Sequence, residues 1–182
     1  MVRKVLVSVL VLLAVGLLGY YNNYLNATNE WIVLPSDDIM TGERTWSAFS
    51  PDTWPLYPLE YPYDDMYANL VYTVINKTEI VALAFSSYPL LEFHSLGNGS
   101  FVAFGRAKFD NQKPINITLF VAKIPAKIAF IVETNVFVEN MKKYNKVLIE
   151  VPWIDRNVYF EFSLKRASTA ISEVRSKNGM VK

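Results

Sequence analysis

Cysteine is absent from this 182-residue chain. Disulfides and thiol chemistry are therefore excluded, and a folded domain must hold by packing alone. Histidine occurs once, at His94, which excludes the zinc and copper centres that need several His or Cys ligands. A lone histidine near a strand end reads as a structural or solvated residue rather than a catalytic one. Glycine is scarce, with seven in all, and no phosphate-cradling glycine loop, Gly-Xaa-Ser-Xaa-Gly elbow or His-Glu-Xaa-Xaa-His pair is present. Nor does either sign of charge dominate: Lys+Arg 18 stands against Asp+Glu 17, so no nucleic-acid-binding surface is indicated. The reading is a non-enzymatic protein without a cofactor.

What the chain does have is a long apolar run. From Val5 to Tyr21, behind Arg3 and Lys4, no charged residue interrupts Val, Leu, Ala and Gly. At about 1.5 Å per residue such a helix reaches about 25 Å, at the short end of what spans a bilayer core. A cleaved signal would need a small-Xaa-small site. Cutting after Gly16 leaves Leu17-Leu18 at the new terminus, and Leu25-Asn26-Ala27 opens on a large residue. Retention as an anchor is the better expectation, with Tyr20, Tyr21, Tyr24 and Trp31 near the headgroup zone and the basic start inside. This predicts a single-pass membrane protein with residues 1–4 cytoplasmic and everything after the anchor outside.

An outward location fits four Asn-Xaa-Ser/Thr acceptors, at Asn26, Asn76, Asn98 and Asn116. Asn76 and Asn98 fall in expected turns and Asn116 on the polar side of an expected strand, places where a glycan can stand.

Residues 22–67 read as a wrapping segment. Pro35, Pro51, Pro55, Pro58 and Pro62 punctuate a stretch containing Trp46, Phe49, Trp54, Tyr57, Tyr61 and Tyr63. Only Trp31–Leu34 looks like a strand; the rest suggests extended, polyproline-like chain. So many aromatics argue against a disordered linker. The segment is also acidic, with Arg44 its one base from residue 30 on. Two carboxylate pairs, Asp37-Asp38 and Asp64-Asp65, are the only candidates for calcium, which takes oxygen ligands in irregular loops. They match no calcium-loop spacing, so solvated acids are the plainer reading. Trp46, Trp54, Tyr57 and Tyr63 are the candidate ligand-binding aromatics, because exposed rings stack on sugars while carboxylates take hydroxyl hydrogens.

From residue 68 to 166 the pattern turns regular and β. Asn69–Ile75 and Glu79–Ser87 flank an Asn-Lys-Thr turn; Leu90–Phe93, Phe101–Phe109, Ile115–Ala122, Lys127–Val138, Val147–Val151 and Val158–Lys165 follow as expected strands. No helical pattern separates them. The expected fold is all-β: an antiparallel sandwich of seven to eight strands, immunoglobulin-like in general architecture, with Ile128–Val138 at its centre and a small β-barrel as the alternative. Residues 167–182 form a basic tail with a short helix and a frayed end. Together these features predict a structural or interaction subunit at the cell surface that binds other envelope proteins. The alternative is a glycan- or peptide-binding module using residues 31–67.

Overall fold

The structure, a computed structural model, describes residues 30–38 and 40–180; the apolar run Val5–Tyr21 and the acceptor Asn26 lie outside them. Among the described residues no helix is long and apolar enough to cross a membrane. The described residues are all-β in character: among them ten strands form one mostly antiparallel sheet, joined by two helices. The strands are β1 (Ile32–Asp37), β2 (Arg44–Phe49), β3 (Ala68–Ile75), β4 (Thr78–Phe85), β5 (His94–Ser95), β6 (Phe101–Phe109), β7 (Ile115–Val121), β8 (Ile128–Ile131), β9 (Lys146–Pro152) and β10 (Asn157–Ser163). The helices are α1 (Thr134–Lys143) and α2 (Ala167–Lys177).

Among the described residues the strands form one sheet, not two. The order β1-β2-β3-β4-β8-β7-β6-β9-β10 is continuous, with β5 pairing β6. The sheet bends until its far strand meets the chain that follows β2. Thr53 exchanges both backbone hydrogen bonds with Ala68 at the start of β3, and three residues later Leu56 N–H donates to the Tyr159 carbonyl of β10 at 2.8 Å. Residues 53–56 thus stitch one arm of the sheet to the other, and the supposed wrapping segment is part of the sheet.

Period-two alternation sets which side chains line the interior. In β10, Val158, Phe160 and Phe162 are buried and Tyr159 and Glu161 face out; in β7, Ile117, Leu119 and Val121 are buried while Asn116, Thr118 and Phe120 point away. These phases match the expectation. Phe85 meets Phe160 across the interior at 6.0 Å between centroids, and Phe160 stacks beside Phe162 at 6.1 Å. The Asn76-Lys77 turn has φ of 49° and 63° at its two residues, the left-handed pair that suits a tight hairpin and that Asn tolerates well.

The long strand expected over Lys127–Val138 is instead β8 followed by α1. The switch has a local cause. Glu133 takes the Thr118 amide at 2.8 Å and the Thr118 hydroxyl at 2.9 Å, so a side chain replaces the next rung of the β7–β8 ladder. Freed of pairing, the chain turns helical and buries Phe137, Val138 and Met141, which share one face. Phe137 packs on Phe109 at 5.1 Å. Lys142 and Lys143 in the last turn suit the negative end of the helix dipole. Nor is Leu90–Phe93 a strand: Leu91 forms a single bridge to Trp153, and pairing to β6 begins only at His94.

Candidate functional site

Strand directions sort the connections into two ends. The turns at 38–43, 76–77 and 110–114 gather with α1 and α2 at a helical end; segments 50–67, 86–100, 122–127 and 153–156 gather at a loop end. The side chains of the first described residues reach the end of β10 and the start of α2, while β1 itself runs toward the 38–43 turn. Trp31 Nε1 donates to the Ser163 carbonyl at 2.8 Å, and Glu30 pairs with Arg166 at 2.5 Å. With seven residues in β10, the loop end lies about 20 Å further along that strand.

The helical end is bound up with itself. Tyr72 donates to Glu79 at 2.5 Å, and Arg175 of α2 reaches the same carboxylate at 2.7 Å. Burial, then the hydrogen bond to Glu79, keep the Tyr72 hydroxyl protonated far above the usual tyrosine range. This network joins α2 to the β3–β4 hairpin. A shallow depression of about 340 Å³ lies at the same end, lined by Asp110, Asn145, Lys146, Glu161 and Ser163. Its charged groups are committed to neighbours: Asp110 accepts from the Asn145 and Lys146 amides at 3.1 and 3.0 Å, and Lys146 pairs with Glu161 at 2.9 Å.

The four candidate aromatics do not form one surface. Trp46 belongs to the helical end, half-buried, with Lys177 Nζ 3.7 Å from its ring centre and its backbone held by Asn178 at 2.9 Å. Tyr63 packs edge-on against buried Trp153 at 5.6 Å and joins the 57–63 loop to the 153–156 turn. Trp54 and Tyr57 are exposed. A different set of apolar side chains completes the loop end: Tyr57 at 72% exposed, Tyr61 at 89% and Ile154 at 65%, with Leu90 beside Ile154 through an amide–carbonyl bond of 3.0 Å. Here Asp52, Glu60, Asp64, Asp65, Glu92 and Asp155 outnumber Lys123, Lys127 and Arg156. The loop end thus carries exposed apolar side chains together with a surplus of carboxylates.

The calcium candidates are not assembled. Asp37 is tied to Arg44 at 2.6 and 2.8 Å, which holds its carboxyl below the usual range. Asp38 accepts the Met40 and Thr41 amides, with the same effect. Asp64 and Asp65 are exposed, and among the described residues no group of three or more His, Cys, Asp or Glu converges on a metal position. His94 is exposed and leans on Phe104 at 5.4 Å. Asn76, Asn98 and Asn116 all stand exposed.

One polar cluster escaped the sequence. Because Thr53 and Ala68 are partners, Asp52 lies opposite Asn69 and Trp54 opposite Tyr67, both pairs on the face away from the core. Asn69 Nδ2 donates to Asp52 at 2.8 Å and to the Ser50 carbonyl at 3.0 Å, while Asn69 Oδ1 is buried without a partner among the described residues. Burial pushes the Asp52 carboxyl above the usual carboxylate range, and the Asn69 bond partly offsets this. The Trp54 and Tyr67 rings lie 5.6 Å apart at 47°. Tyr67 in turn exchanges hydrogen bonds with Ser86, whose carbonyl accepts Lys127 Nζ at 2.7 Å, and Lys127 Nζ sits 5.4 Å from the Tyr88 ring centre. The only sequence trace of this cluster is Asp-Xaa-Trp and Tyr-Xaa-Asn, unremarkable until pairing sets them side by side.

No protein-family model matches the chain and no curated protein matches it. Among solved structures it is similar to the crystal structure of invasion associated protein B from Bartonella henselae, with TM-score 0.47 and 11% identity over 83% of this chain and 94% of that one. So distant a likeness carries neither a site nor an activity across.

Proposed function

We propose that this protein is a non-catalytic interaction subunit of the cell surface, held by Val5–Tyr21 as a retained single-pass anchor, with the folded domain outside the cytoplasm and its loop end turned toward a protein partner. The observation that carries the reading is the collection of exposed apolar side chains, Tyr57, Tyr61, Leu90 and Ile154, at the loop end. Contiguous exposed apolar surface with a polar rim is characteristic of contact sites. The acidic rim calls for a partner whose own apolar patch is edged by Lys and Arg. Glycans at Asn76, Asn98 and Asn116 fit an outward domain; Asn76 stands at the helical end, whereas Asn98 belongs to the loop end. In architecture, the curled sheet stitched by residues 53–56 stands closer to the small barrel than to the immunoglobulin-like sandwich.

The test is co-purification from native membranes. Ile154→Asp and Tyr57→Ala should release an envelope partner while the domain stays folded, and retention should weaken as salt rises because the rim charges are screened. A partner retained by both variants at every salt concentration would refute the reading.

A further inference from the structure

We propose that the outer face at the 52–54/67–69 junction is a binding site for a neutral pyranose sugar, with Trp54 as the stacking surface and Asp52 and Lys127 as the hydroxyl-binding groups. This site does not rest on the tip contact above and uses none of its apolar residues, although Asp52 and Lys127 also belong to the loop-end charges.

The argument begins with placement. Asp52 and Trp54 are two residues apart on one extended strand, which puts the carboxylate row about 7 Å from the aromatic row, a spacing that allows a six-membered ring to lie on one and reach the other. Trp54 stays 51% exposed, whereas Trp31 and Trp153 are buried. Its tilt against Tyr67 makes an open wedge rather than a closed stack. An indole face left open in this way offers a large, rigid surface to the C–H face of a sugar. Hydrogen-bonding groups are linked to the ring pair: Asp52, two residues before Trp54, is positioned by Asn69 and supplies acceptors, and Lys127, held by Ser86, the backbone partner of Tyr67, supplies donors.

The charges select the class of sugar. One carboxylate and one ammonium give the face no net sign, while Glu60, Asp64 and Asp65 elsewhere at the loop end repel an anionic ligand. A neutral ring with several hydroxyls satisfies both groups.

The experiment uses the full-length chain in a detergent without a sugar headgroup. Saturation-transfer NMR and tryptophan fluorescence are recorded with the methyl pyranosides of glucose, galactose and mannose and with N-acetylglucosamine. At least one should bind with a dissociation constant on the order of 1 mM, as befits so small a ligand. Trp54→Ala and Asp52→Asn should each weaken it about tenfold or more, and Tyr57→Ala should leave it unchanged. Thermal melting of each variant separates lost binding from lost folding, and Asp52→Asn keeps the shape of the side chain. No saturable binding of any of the four sugars, or binding unaffected by both Trp54→Ala and Asp52→Asn, overturns the proposal. Neither outcome bears on partner capture by the loop tip, which the Ile154 variant reads separately.

Discussion

Gly105 shows how a single position is decided by its neighbours. It lies in β6 where β9 joins from one side and β7 from the other, and a Cβ there would fall on the backbone carbonyl oxygen of Glu150. Backbone cannot move aside as a flexible side chain does. Gly105→Ala should therefore destabilise the domain by about 1–3 kcal/mol, measured by urea unfolding. Asp52 makes a different claim. Its folded carboxyl binds a proton more tightly than the unfolded one, since desolvation outweighs the Asn69 hydrogen bond. In the window between the ordinary carboxylate value and the raised one, the folded state holds more protons, so its stability falls as pH rises through that window. NMR titration should find Asp52 above the usual carboxylate range. Asn69→Ala should move it higher still by removing a donor to the charged form; a downward move would show that burial is not the cause. Neither position announced itself in the sequence, because each depends on which strand lies alongside.

At the scale of elements, strands were legible where one face meets the core and the other meets water. The phase of β10 was readable from Val158, Phe160 and Phe162 alone, and its consequence is testable. Phe160→Ala or Phe162→Ala should cost about 3–5 kcal/mol by opening a cavity, and Tyr159→Ala, on the outer face, much less; equal losses would mean that both faces are packed. The stretch running through α1 was misread for a physical reason. Ile-Val-Glu-Thr-Asn-Val-Phe-Val is rich in β-branched residues, and tertiary context overrides that weak preference. It is the Glu133–Thr118 contact that ends the ladder, and no local pattern reveals it. β2 was hidden by the prolines around it, although Pro51 lies just beyond its end and Pro35 sits within the edge strand β1 opposite Trp46. The C-terminal helix was expected, but its attachment was not. Arg175, Glu79 and Tyr72 join α2 to a hairpin nearly a hundred residues away. Glu79→Ala should cost about 2 kcal/mol by leaving Arg175 without its partner. Adding Arg175→Met should recover part of the loss.

At the scale of the whole molecule, the account is one of polarity. Ionic and hydrogen-bonded groups at the helical end pair with one another. Most large apolar side chains that the core does not use are displayed at the loop end, which also carries a surplus of carboxylates, while Met40, Val132 and Val136 are exposed at the helical end. The sequence showed the acidic border and its aromatics as one stretch of chain, but the sorting of Trp46 and Tyr63 into packing roles and of Tyr57 into exposure followed only from the curl of the sheet. The most direct test is site-specific photo-crosslinking in native membranes, with a photoreactive residue placed at Tyr57 or Ile154 on the loop end and at Lys113 or Ser172 toward the helical end. Polarity predicts that the loop-end positions cross-link to another envelope protein and that the helical-end positions do not. Cross-links to a protein partner from Lys113 or Ser172, with none from Tyr57 or Ile154, would contradict it.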